Sequence, residues 1–167
     1  QESVIMTAAE SKLAFSIHNY VGAVGTIICG WISAKFFKGK CAPANVIFMS
    51  LVTVGALIYW QIPALAAATG IAAKVWAYVA LILIGFCIYG PVALVTIQAV
   101  NLVPKNATGT AAGFVGIFGY LVGDSLLSKI IVGSVADYSW NAANLTMVIG
   151  AALGVVLCIL TIKSEKA

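Results

Sequence analysis

Arginine is absent from this sequence, and charge of either sign is scarce. Nine lysines and five acids give a net charge of +4 and make up only 8% of 167 residues. A soluble domain carries about 25% charged residues. With 62% hydrophobic residues and a mean hydropathy of +1.08, the chain has too few polar side chains to cover a globule in water. Its apolar runs are continuous, without the short alternating segments of a membrane barrel. Histidine occurs once, at His18, and Cys29, Cys41, Cys87 and Cys158 lack metal or redox spacing. No catalytic triad, metal cluster, phosphate loop or nucleic-acid surface can be assembled from what remains. An enzyme, a bound cofactor or metal, and a nucleic-acid partner are therefore not expected. Neither an initiator methionine nor a signal-peptide pattern is present, and the chain opens on Gln1 as a piece of something longer would.

What is present is hydrocarbon-compatible helix, so the fold class is an all-α membrane protein. Five spans of about 20 residues or more, enough to cross a bilayer, are expected at about 13–34, 44–62, 75–102, 109–135 and 143–162. Thr7-Ala-Ala-Glu10 has capping-box spacing and marks a helix start before the first span. An alanine-rich linker is expected from Pro63 to Ala73. Gly90-Pro91 lies in the middle of the long third span and can supply a kink. The four cysteines are read as free.

The lysines orient the path. Lys35, Lys38, Lys40, Lys105, Lys163 and Lys166 fall on one side of an alternating five-span chain, and Lys12 and Lys74 on the other. Positive residues concentrate in cytoplasmic loops, so the C-terminus is expected in the cytoplasm.

The fourth span holds the unusual chemistry. Gly109, Gly113, Gly116, Tyr120, Gly123 and Leu127 recur at three- and four-residue steps. Small residues at that spacing let membrane helices approach closely, either for tight packing or for sliding against a neighbour. Asp124 and Lys129 interrupt the same span. Each costs roughly 2.5–3.5 kcal/mol at the centre of a bilayer helix, which points to a functional role or to structural pairing. Five residues apart, they stand about 140° from each other on a regular helix, a poor fit for an intrahelical pair without a bulge. In the third span Tyr89 places a hydroxyl beside the expected kink, and His18-Asn19-Tyr20 lies about one turn inside the first.

Several ordered strings then resemble a known family. Gly85-Phe-Cys-Ile-Tyr-Gly-Pro91, Leu102-Val-Pro-Lys105, Gly109-Thr-Ala-Ala-Gly113-Phe and Phe118-Gly-Tyr120 resemble the organophosphate:inorganic phosphate antiporters of the major facilitator superfamily. These carry glycerol-3-phosphate, hexose phosphates or phosphoglycerate. Cys29-Gly30-Trp31-Ile-Ser33, followed by Lys35 and Lys38-Gly39, resembles the family's eighth helix and its cytoplasmic loop motif, with Ala34 where that motif has an acid.

The resemblance implies that the five spans are helices 8–12 of a twelve-helix, multi-pass transporter of a bacterial inner membrane. Helices 1–7, with the family's phosphate-binding arginines, would lie outside this chain. It also implies alternating access, in which an organophosphate is exchanged for inorganic phosphate. Tyr89 and Tyr120 fall on cavity-lining tyrosines, and Asp124 and Lys129 on residues bearing on substrate selectivity. Asn19 stands where the glycerol-3-phosphate carriers have an acid. Two alternatives remain open: a membrane sensor of external sugar phosphate, and an inactive truncated fragment.

Overall fold

The computed structural model describes residues 6–121, 123 and 139–164. Among these the secondary structure is helical throughout. Helix α1 spans Ala8–Phe36 and begins as its cap foretold. The Thr7 hydroxyl accepts from the Glu10 amide at 3.4 Å, and the Glu10 carboxylate accepts from the Thr7 amide at 2.8 Å. After a tight turn come α2 (Cys41–Trp60), α3 (Ile62–Thr69) and α4 (Ala73–Asn101). A 3₁₀ turn at Lys105–Ala107 leads into α5 (Thr108–Ile117), which continues with π-helical winding over 118–121. Helix α6 spans Trp140–Ser164.

Among the described residues, four helices are long and apolar enough to cross a membrane: Ala8–Phe36, Cys41–Trp60, Ala73–Asn101 and the Asn141–Ile162 part of α6. Four of the five expected spans are thus described as such helices. The fourth expected span, 109–135, is described in its first part only, and its remainder lies outside the described residues apart from residue 123. The linker expected from Pro63 to Ala73 is corrected as well, since most of it folds as α3. Alanine is the strongest helix former and proline is tolerated in a first turn. Gly70, at φ 69°, ends that helix in the left-handed region where a side chain is disfavoured.

Close contacts fix the directions of the helices. On α1 and α4, His18 meets Leu81, Gly22 meets the Gly85 carbonyl, Gly25 meets Phe86 and Cys29 meets Gly90. The partners advance together, so α1 and α4 run parallel. Helix α2 runs against α4, with Gly55 beside Ile84 and Phe48 stacked on Phe86. It also runs against α6, with Met49 beside Gly154 and the Trp60 indole donating to Asn141. The end of α4 and the start of α6 therefore lie at opposite ends of the bundle.

Helix α1 shows how the sequence assigns its faces. Gly22, Gly25, Cys29 and Ser33 are buried toward the bundle. Tyr20, Val24, Ile27 and Trp31 form a continuous exposed stripe on the other side. Lipid tails are as apolar as these side chains, so the stripe costs little in a bilayer, and close van der Waals packing of small residues holds the inner face. The core gathers Cys29, Cys41, Ala44, Phe48, Val52, Cys87 and Leu94 from three helices. Cys29, Cys87 and Cys158 are free thiols.

Candidate functional site

Tyr89 is the best-defined polar residue of the α1–α4 seam. Its ring lies against Gly22, where an added Cβ would come within 2.2 Å of the Tyr89 Cδ2. The His18 ring approaches it edge-on, with centroids 5.9 Å apart. At the tip, the Tyr89 hydroxyl donates to the Asn19 side-chain oxygen at 2.5 Å. Asn19 donates in turn from Nδ2 to the Phe15 carbonyl at 2.8 Å. His18 donates from Nδ1 to the Leu81 carbonyl at 2.9 Å, which fixes its tautomer when neutral and ties α1 to α4. Tyr89 nevertheless keeps 36% of its surface exposed. A cavity of about 220 Å³ opens beside this group, lined by residues that include Phe15, His18, Tyr59 and Leu81. Farther along the seam, Lys74 pairs with Glu10 at 2.5 Å.

The other expected site residues are dispersed. Tyr120 follows α5 in the π-helical segment and is 77% exposed. No hydrogen bond or ring contact joins it to Tyr89 among the described residues. Gly113, Gly116 and Gly123 have no described atom within 4 Å of an added Cβ, so that strip faces open space as far as the structure describes it. Asp124 and Lys129 lie outside the described residues. π-Helical winding inside α-helices is frequent at functional sites, and here it occurs over 118–121.

Gly90 and Pro91 are buried within α4, which continues through the proline, and an added Cβ on Gly90 would meet Cys29 at 2.5 Å. At the loop after α1, Lys35 sits over the Trp31 ring at 4.6 Å from its centroid. Lys38 adopts φ 54° and Gly39 φ 83°, and the turn is tied back through Ser33. The Ser33 hydroxyl donates to the Lys40 carbonyl at 3.0 Å, and the Ser33 carbonyl accepts from the Gly39 amide at 3.0 Å. Gly30 has open space around it.

Three features escaped the sequence reading. Gly22 and Gly25 are the tightest points of the α1–α4 contact, and their three-residue spacing was a usable signal. Asn19 is the partner of Tyr89, which no local pattern announces across 70 residues. Asn45 is wholly buried in α2, and neither atom of its amide has a hydrogen-bond partner among the described residues. An asparagine inside an apolar run was the available hint.

Comparison with known proteins adds descent to this geometry. No protein-family model matches the chain, and no solved structure does. The glycerol-3-phosphate transporter of Bacillus subtilis (strain 168) is 42% identical over 158 residues, covering 94% of this chain and 34% of the relative. That of Haemophilus influenzae is 39% identical over 160 residues, covering 91% and 33%. The hexose-6-phosphate:phosphate antiporter of Salmonella typhimurium is 32% identical over 145 residues, covering 82% and 29%. The chain spans about a third of the length of the curated relatives it matches. With the membrane sensor protein UhpC of Escherichia coli also aligned over 92% of these residues, the chain belongs to the family of the glycerol-3-phosphate transporters, the hexose-6-phosphate:phosphate antiporters and the UhpC sensors.

Proposed function

We propose that this chain is the helix 8–12 part of a secondary transporter that exchanges glycerol-3-phosphate for inorganic phosphate by alternating access. The observation that carries the reading is the pair of glycerol-3-phosphate transporters at identities above that of the hexose-phosphate antiporter. Helices 1–7 complete the cavity and supply the arginines this chain lacks. Guanidinium suits phosphate because its planar fork meets two oxygens at once. Residues 102–139 link opposite ends of the bundle, which supports a further crossing between α4 and α6. The lysine distribution supports a cytoplasmic C-terminus in a bacterial inner membrane.

In this reading Tyr89 and Tyr120 line the cavity toward helices 1–7. Asp124 repels or orients the substrate, with Lys129 as its partner or as a second contact. Gly113, Gly116 and Gly123 give a smooth helix face for rocking. Gly30, Lys35 and Lys38 belong to the cytoplasmic loop motif.

The test is phosphate self-exchange by the full-length protein in liposomes, with glycerol-3-phosphate, glucose-6-phosphate and 3-phosphoglycerate as competitors. Glycerol-3-phosphate competes best. Competition by none of the three ends the substrate assignment. The second reading is a sensor, favoured by the UhpC match at lower identity. A signalling response that survives loss of exchange would select it.

A further inference from the structure

We propose that Asn19 is a positioning residue that fixes the hydrogen-bonding sense of Tyr89, so that the Tyr89 oxygen meets the substrate as an acceptor and reads a hydroxyl donor on it. The inference rests on Tyr89 facing the substrate, as proposed above.

The chain of roles is set by one carbonyl. The Phe15 oxygen can only accept, so the Asn19 atom at 2.8 Å from it is the NH₂ group. The other end of the same amide is then the carbonyl oxygen, which also can only accept. Tyr89, at 2.5 Å from that oxygen, must donate. A phenol has one proton, and here Asn19 holds it. The ring cannot easily swing away to redirect that proton, because Gly22 lies against one edge and His18 flanks it. What Tyr89 offers through its exposed part is an oxygen lone pair.

The consequence is selective. A fully ionised phosphomonoester group has only acceptors and gains nothing from a second acceptor. A carbon-bound hydroxyl, or the P–OH of a singly charged phosphate, donates to it. Among the described residues, His18 is the titratable side chain recorded in contact with Tyr89, and its Nδ1–H is committed to Leu81. Substitution at Asn19 removes neither that bond nor the His18 ring.

The test uses the full-length protein in liposomes and reads ratios of competition against phosphate exchange. One arm compares glycerol-3-phosphate with propyl phosphate, which lacks carbon hydroxyls. The other compares each competitor on either side of the second phosphate ionisation, near about pH 6. In the wild type one arm shows a preference of about three- to tenfold for the donor-bearing species, the worth of one hydrogen bond. The arm that shows it says whether the donor is C–OH or P–OH. Asn19→Ala and Tyr89→Phe abolish the preference, and Asn19→Asp, which still accepts the Tyr89 proton, restores it.

A wild-type protein with no preference in either arm overturns the proposal. So does an Asn19→Ala variant that keeps the preference while Tyr89→Phe loses it. If Tyr89→Phe also keeps it, Tyr89 does not meet the substrate and the site reading fails too. Should Asn19→Ala not fold, Asn19→Leu gives the same reading, and loss of the preference in Asn19→Asp alone is enough to reject the role.

Discussion

Single residues in the α1–α4 seam differ sharply in what they tolerate. An added Cβ at Gly25 would come within 1.9 Å of the Phe86 carbonyl oxygen, a backbone atom that cannot turn aside. Gly25→Ala should therefore lower stability by about 1–3 kcal/mol, the usual cost of overpacking, seen as a reduced melting temperature in detergent. Gly30, one and a half turns on, has nothing within 4 Å. Gly30→Ala should leave stability unchanged or raise it by up to about 1 kcal/mol through helix propensity. Equal effects at the two positions would refute the assigned α1–α4 register. Asn45 makes the opposite point. Its amide is buried without a described partner, and such a group costs about 1–3 kcal/mol. Asn45→Leu, which keeps the branching and the number of heavy atoms, should raise the melting temperature; a fall would mean that this amide is satisfied by residues beyond those described or that the larger methyl groups do not fit.

At the scale of helices, the contact between α1 and α4 adds a close steric match to the polar links made by His18, Tyr89 and Lys74. Gly90 is empty where Cys29 projects: an added Cβ there would lie 2.5 Å from the Cys29 Cβ and 2.6 Å from its Sγ. Gly90→Ala should destabilise the seam, and Cys29→Gly in the same protein should recover part of the loss, since it removes both atoms in conflict. A double-mutant cycle in detergent melts measures the coupling, and a value near zero would separate these two residues. This element also shows what the sequence conveyed. Span positions came through because twenty apolar residues in a row have few alternatives to a membrane helix. The α3 helix was missed because Pro63 was read as a stop, although proline stops a helix in its interior and not in its first turn. The glycine strip of α5 was the conspicuous one in sequence, yet the close described packing uses Gly22, Gly25, Gly85 and Gly90. Glycine spacing says that an approach is possible; it does not name the neighbour.

For the whole molecule, the parallel course of α1 and α4, with α2 reversed, puts Lys38 and Lys74 at opposite ends of the bundle. In a variant lacking Cys158, Lys38→Cys should react with a membrane-impermeant thiol reagent only from the cytoplasmic face, and Lys74→Cys only from the other. Labelling of both from one face would remove the proposed topology. The same scale governs the selectivity residue expected from sequence. Asp124→Asn should shift preference among organophosphate competitors more than it lowers the amount of protein in the membrane. Parallel loss of both would mark the acid as structural.

Composition and hydrophobic run length by themselves determined that this protein is helical and membrane-embedded, because side chains this apolar cannot face water. The ordered glycine, proline and tyrosine strings carried the family, because such local strings survive within single helices. Only the tertiary structure decided that the Tyr89 proton belongs to Asn19, that His18 ties α1 to α4, and that α1 rather than α5 carries the tightest described glycines. Those are contacts between residues some 60 to 70 positions apart. Which helix faces which, and in what register, is fixed by the fit of whole surfaces and is written in no local stretch of the chain.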